Sequence, residues 1–342
     1  MVVSTPSSNR RRRARAISAA ARAGTLGIVA LTLIACTASP RAADGSESPM
    51  PEESLAAEEV AGLFDVGDGR RMYLECRGSG SPRVVFISGQ RGSAEDWSIV
   101  ADGVGVDPVF EQVSVQTRAC AFDRPGTPVG ESFSRSDPAP MPTTTGAMVD
   151  DLHALLEASG ETGPTVIVAH SVGGLAGRLY SGQHPDDVAG IVFVDATSIG
   201  LQDAETPEQW EIQRELLAGD ITESLSLYPD IERLDLDASF DQVRAAPPLQ
   251  QMPLVVISAD QPWGPIVERM HAAGELLPGV PADFGYVLDG AAAQSQAALA
   301  ALLPGSRHIT KTDSGHNVHQ EQPQLVVDAI MSVVDELRAD SQ

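Results

Sequence analysis

The chain has 342 residues, 42% of them hydrophobic but only 4% aromatic, so a substantial core must be built mostly from Ala, Val, Leu and Ile. Asp and Glu number 47 against 23 Lys and Arg, and the formal net charge of −24 repels nucleic acid and anionic head groups. There is no internal repeat and no heptad run, which sets aside solenoids and coiled coils.

The N-terminus reads as an address rather than as fold. Arg10, Arg11, Arg12, Arg13 and Arg15 precede the apolar run Gly24 to Ala35, whose 12 residues are too few to span a bilayer but suit the core of an export signal over residues 1–35. That run ends in Leu33-Ile34-Ala35-Cys36, which resembles the lipobox of bacterial lipoproteins. The resemblance implies cleavage before Cys36 and acylation of Cys36 as an anchor on the outer side of the cell membrane. The plainer alternative is a secreted protein in which Cys36 is incidental. Losing residues 1–35 removes six Arg and no acid, and moves the net charge to −30. Residues 36–60, with Ser, Pro, Ala and acids in no period, read as a flexible tether, leaving 61–342 as the folded domain.

In that domain, Gly62 to Val66 and Arg70 to Arg77 flank Gly67-Asp68-Gly69, a hairpin signal. Val84 to Ser88 reads as a buried strand, and further strands are expected at Val113 to Phe122, Thr165 to Ala169, Gly190 to Asp195, Pro253 to Ser258 and Ser306 to Thr310. Helical spacing marks Met148 to Ala158 and Val172 to His184. Gln322 to Arg338 closes the chain as a helix with Pro323 in its first turn. An opening hairpin followed by alternating strands and helices predicts an α/β fold, a mostly parallel sheet covered on both faces. From Thr197 to about 250 the strand pattern stops, and Pro207 to Leu217 and Ile221 to Leu227 predict a small helical cap. A further helix is expected at Ala291 to Leu303.

Between the Thr165 strand and its helix lies Ala169-His170-Ser171-Val172-Gly173-Gly174. This resembles the nucleophile elbow G-x-S-x-G of the α/β-hydrolase superfamily, with Ala169 where the family has Gly. Ser314-Gly315-His316 follows the last expected strand and resembles the family's histidine loop, and Asp123-Arg124-Pro125-Gly126 resembles its D-R-x-G turn. The resemblance covers about residues 61 to 338 and implies an eight-stranded sheet with its cap after the sixth strand. It also implies Ser171 as nucleophile and His316 as base. The acid is Asp195, at the end of the sixth strand, or else Asp260, after the seventh. The oxyanion donors would be the amides of Val172 and Gln90, the latter in Ser88-Gly89-Gln90-Arg91-Gly92, where Ser88 replaces the family's His. His319 reads as a supporting neighbour of the site or a contact of the lid.

In the same fold the second strand lies beside the fourth. Cys76 and Cys120, the cysteines left after the signal, then pair as a disulfide closing a loop of about 45 residues and contributing ~3–4 kcal/mol. The implied activity is a serine esterase acting on a small-molecule acyl substrate through an acyl-enzyme, as a monomer without metal or cofactor, touching the membrane only through Cys36. The alternatives are a non-catalytic ligand-binding lipoprotein on the same scaffold, a peptidase, or a C–C bond hydrolase. Ser171 at the nucleophile position argues against epoxide and halide chemistry, which takes Asp there.

Overall fold

The computed structural model of the protein describes residues 59–130 and 132–341; the expected export signal, Cys36 and nearly all of the tether lie outside them. Strands β1 (Val60–Gly67), β2 (Arg70–Arg77), β3 (Arg83–Ile87), β4 (Ala119–Phe122), β5 (Thr165–His170), β6 (Val188–Val194), β7 (Leu254–Ile257) and β8 (Arg307–Ile309) form one sheet in the order β1-β2-β4-β3-β5-β6-β7-β8. β1 with β2 and β2 with β4 are antiparallel, and every other pair is parallel. The family's sheet is therefore present as expected. The register pairs Cys76 with Cys120 across β2 and β4, and the two are joined by a disulfide.

Period-two alternation divides the central strands between two cores. Val85, Ile87, Ile167, Ala169, Ile191, Phe193 and Val256 face helices α2 (Thr145–Ala158) and α3 (Gly173–Gln183). Val84, Phe86, Val166, Val168, Val192, Val194 and Ile257 face α1 (Val109–Ser114) and the C-terminal helix α11 (Pro323–Asp340). Both faces being covered explains why these strands are unbroken apolar runs.

One expected strand begins too early. Val113 and Val115 alternate with polar residues as in a strand, yet Val113 belongs to α1 and Val115 is 84% exposed. Helical spacing wins because Val109, Phe110 and Val113 share one buried face. The amides of Gln116 and Thr117 then close the turn on the Val113 carbonyl, so β4 starts only at Ala119.

Between β6 and β7 come α4 (Ile199–Asp203), α5 (Pro207–Ala218), α6 (Thr222–Leu227) and α7 (Leu236–Arg244), where the helical insertion was expected. Thr206 begins α5 with a capping box to Gln209 and Pro207 in the first turn. Between β7 and β8 come α8 (Gly264–Ala273) and α9 (Phe284–Ala300), the latter starting seven residues earlier than the sequence reading placed it. Leu216 of α5 packs with Val267, Phe284 and Leu288 of this second insertion in a separate apolar cluster. Both insertions therefore build the cover over the sheet, not the first alone. α10 (Val318–Glu321) completes the set ahead of α11.

Candidate active site

Ser171 sits on the turn between β5 and α3 at φ +53°, a left-handed conformation that costs a non-glycine residue on the order of 1–2 kcal/mol. Its surroundings fix it there. The Ser171 amide donates to Val194 O at 3.3 Å, and its carbonyl accepts from Gly174 at 2.9 Å and Thr197 at 2.8 Å. Gly173 and Gly174 are obligatory by contact: a Cβ on Gly173 would lie 2.7 Å from the Ile87 and Ser88 carbonyls, and one on Gly174 2.6 Å from the Ala196 methyl. The departure at Ala169 is absorbed on the helix side, because Gly177 has no side chain; a Cβ there would stand 3.1 Å from that of Ala169.

His316 Nε2 is 2.9 Å from Ser171 Oγ, and its Nδ1 is 2.6 Å from Asp195 Oδ2. An ionised carboxylate can only accept, so Nδ1 carries the proton and Nε2 is left as the acceptor for the serine hydroxyl. Asp195 leaves β6 at φ +40°. Its amide donates to Ile257 O at 2.7 Å, and its second oxygen accepts the Ala259 amide at 3.0 Å. The end of β7 thus orients the carboxylate carried by β6.

Asp260, the alternative acid, is not paired with His316. It accepts the amides of Thr312 at 3.1 Å and Ser314 at 3.0 Å, and bonds to this loop hold its carboxyl below the usual carboxylate range. The loop needs those acceptors because its amides have left the β8 ladder. Glu321 does the same for Gly315, whose amide it accepts at 2.9 Å.

On the other side of Ser171, the turn Ser88 to Gly92 is closed by Gly92 N donating to Gly89 O at 3.0 Å. Among the described residues, no protein acceptor takes the amide of Gln90 or that of Val172. Ser88, where the family has His, accepts Trp97 Nε1 at 3.0 Å and donates to Ser93 O at 2.7 Å. The turn is also gripped from beneath. Arg124 donates to Ser88 O at 2.9 Å and to Gly89 O at 2.6 Å, and pairs with the buried Glu232 at 2.6 Å. Glu232 in turn accepts the Arg91 amide at 2.5 Å. It belongs to the segment between α6 and α7, and nothing in the spacing of Asp230-Ile231-Glu232 announces that contact.

The remaining histidines near the site are buried and neutral. His170 donates from Nε2 to His316 O at 3.0 Å, and burial together with His319 and His316 pushes its pKa well down. His319 is buried beside the site, the supporting position the sequence suggests. Its ring centroid is 4.6 Å from that of Trp97 and 4.4 Å from that of His170, and burial lowers its pKa to about 3.

Ser171, Asp195 and His316 open into a cavity of about 100 Å³ lined by Leu201, Leu216, Leu217, Trp263 and Leu288. Gln213 of α5 and Gln296 of α9 are set into the same wall. The sequence reading did not single out these two; the available signal was a Gln inside an otherwise apolar helical stripe.

Fold and site together define a hydrolase of the α/β type, and the comparisons agree. The model of the alpha/beta hydrolase family matches residues 84–329, and the chain belongs to that family. An uncharacterized protein of Schizosaccharomyces pombe is 31% identical over 157 residues, covering 40% of this chain and only 28% of the relative's own length. Lipase LipV of Mycobacterium tuberculosis is 27% identical over 206 residues, 56% of this chain and 76% of the relative. A thermophilic esterase from Thermogutta terrifontis shares the fold with a TM-score of 0.50 and 20% identity, covering 82% of this chain and 99% of its own.

Proposed function

We propose that the protein is an exported serine esterase in which Ser171, His316 and Asp195 form the catalytic triad. The single observation that carries this reading is the pair of hydrogen bonds through one imidazole, 2.9 Å to Ser171 Oγ and 2.6 Å to Asp195 Oδ2. A serine hydroxyl becomes an effective nucleophile only when a positioned base takes its proton. In this mechanism Ser171 Oγ attacks the ester carbonyl carbon while His316 Nε2 accepts the hydroxyl proton. Asp195 stays ionised and stabilises the imidazolium through Nδ1–H. The tetrahedral oxyanion receives hydrogen bonds from the free amides of Gln90 and Val172, the second at the N-terminus of α3. His316 then returns its proton to the leaving alkoxide, the alcohol departs, and an acyl-Ser171 ester remains. Water, deprotonated by the same imidazole, releases the acid and restores the serine.

Export, with Cys36 as the lipidated first residue, is the companion proposal. The Cys76–Cys120 bond supports it, since structural disulfides belong to oxidising compartments.

Steady-state hydrolysis of p-nitrophenyl acetate tests the enzymatic reading. Turnover by the wild type is expected to fall by roughly 10⁴-fold or more in Ser171→Ala and His316→Ala. Equal rates in wild type and Ser171→Ala would overturn it.

A further inference from the structure

The wall of the cavity beside Ser171 is apolar except where two carboxamides interrupt it. Gln213 and Gln296 are each only 6% exposed, and the Oε1 atom of each is buried without a hydrogen-bond partner among the described residues. They stand on different helices and face the same space. On α5, Gln213 precedes Leu216 and Leu217 by three and four positions; on α9, Gln296 follows Ala292 by four and Leu288 by eight. All six line the cavity. The orientation of Gln296 is fixed chemically. Its Nε2 donates to Ala196 O at 2.9 Å, a carbonyl that can only accept, so Oε1 is the free end. The neighbouring Ser295 hydroxyl is already engaged with Ser198 Oγ at 2.8 Å and supplies neither glutamine.

A carboxamide oxygen removed from water without a partner costs on the order of 1–3 kcal/mol, and such groups are rare in native proteins. Leu or Met would continue the wall formed by Leu201, Leu216, Leu217 and Leu288 without that cost. Two unpaired acceptors within one cavity, beside a nucleophile, suit a ligand that arrives with donors.

Resting on the esterase reading above, we infer that the physiological substrate is an ester bearing hydroxyl or amide N–H groups, which donate to Gln213 and Gln296. These glutamines set specificity against plain hydrocarbon esters. A hydrocarbon group lodged in the cavity leaves both oxygens as unpaired as they are in the free protein. A group with donors satisfies them as the site closes, and sites built in this way discriminate strongly between such isosteres.

The test compares matched esters on the full-length wild type and on Gln213→Leu and Gln296→Leu. p-Nitrophenyl butyrate is set against p-nitrophenyl β-hydroxybutyrate for the acyl side, and propyl butyrate against monoglyceryl butyrate for the alcohol side. Each rate is normalised to alkaline hydrolysis. In at least one pair the wild type should favour the hydroxylated ester by about tenfold or more in kcat/KM, and each substitution should shrink that preference several-fold by favouring the hydrocarbon ester. The Gln213 side chain has no hydrogen bond to lose among the described residues, so Gln213→Leu decides the matter if Gln296→Leu does not fold, and fluorophosphonate labelling of Ser171 marks a folded site. Turnover of all four esters without a hydroxyl preference overturns this inference alone, as does a preference unchanged in Gln213→Leu. A well-folded wild type that neither turns over an ester nor labels overturns the esterase reading beneath it.

Discussion

Asp260 Oδ1 accepts the Ser314 amide at 3.0 Å, two residues before the histidine whose Nδ1 meets Asp195. Two carboxylates at neighbouring strand ends thus serve one loop in different ways. One orients the imidazole and the other holds the backbone that carries it. Asp195→Asn should therefore lower kcat by roughly 10³–10⁴-fold, because the amide no longer fixes the Nδ1–H tautomer. Asp260→Asn should lower kcat less than about tenfold and act chiefly on stability. The carboxyl of Asp260 is depressed below its ordinary value, so its contribution is present above the unfolded pKa near 4 and is lost as pH falls through the folded one. Stopped-flow kinetics and urea melts of the two variants, run side by side, separate these roles. Equal kinetic losses would contradict them.

The Gln90 turn depends on a charge supplied by the insertion. Arg124 and Glu232 are buried to 4% and 1% side-chain exposure, and Arg124 also grips the Ser88 and Gly89 carbonyls. Breaking such a pair from one side leaves an uncompensated charge and costs about 3–5 kcal/mol. Glu232→Gln should lose about that much stability in urea unfolding. At a temperature where it stays folded, kcat should fall about tenfold with KM nearly unchanged, since the proposed mechanism takes one oxyanion donor from this turn. A variant with raised KM and normal kcat would place Glu232 in substrate binding instead.

The disulfide joins facing residues of β2 and β4 with a sequence separation of 44. Its main effect is on the unfolded chain, where it removes loop entropy worth ~4 kcal/mol. The double substitution Cys76→Ala and Cys120→Ala should lower the unfolding free energy by about that amount while leaving the pH profile of any hydrolytic activity unaltered. An unchanged urea midpoint would contradict the estimate.

His319 is neutral when folded, with its pKa lowered from 6.5 to about 3 by burial and by His316. Below pH 6.5 the unfolded chain takes up a proton there that the folded chain refuses, so stability falls as pH falls, at up to ~1.4 kcal/mol per pH unit. Buried His170 acts in the same sense. Asp96, raised by burial to about 6, acts in the opposite one. Comparing wild type with His319→Gln isolates the single group. Between pH 6 and 4 the variant's stability should decline less steeply, by nearly one proton's worth. Identical slopes would show that His319 is charged in the native state.

Much of this site was legible because its residues lie where local rules are strict. The elbow needs small residues on either side of Ser171, and Gly173 and Gly174 announce it. A serine, then an acid at a strand end, then a Gly-His loop give an order that spacing can reveal. Cys76 and Cys120 could be paired once the fold was assumed. Asp195 was preferred to Asp260 on its place at the end of the sixth strand alone, because both acids follow apolar strands and it is the path of residues 312–316 that distinguishes them. Glu232, Gln213 and Gln296 were missed because their partners are a hundred or more residues away in the chain or absent from it. The α1 segment misled because Val113 and Val115 imitate a strand; the exposure of Val115 is a tertiary fact, invisible to local periodicity.

Under the proposed mechanism Ser171 is a nucleophile activated by His316. The most direct measurement is the intact mass of the purified protein after a fluorophosphonate, with the adduct then located by peptide mass spectrometry. One phosphonyl group per chain is expected, on Ser171, formed about a hundredfold more slowly in His316→Gln and absent from Ser171→Ala. A folded wild type that stays unlabelled, or an adduct on another residue, would contradict it.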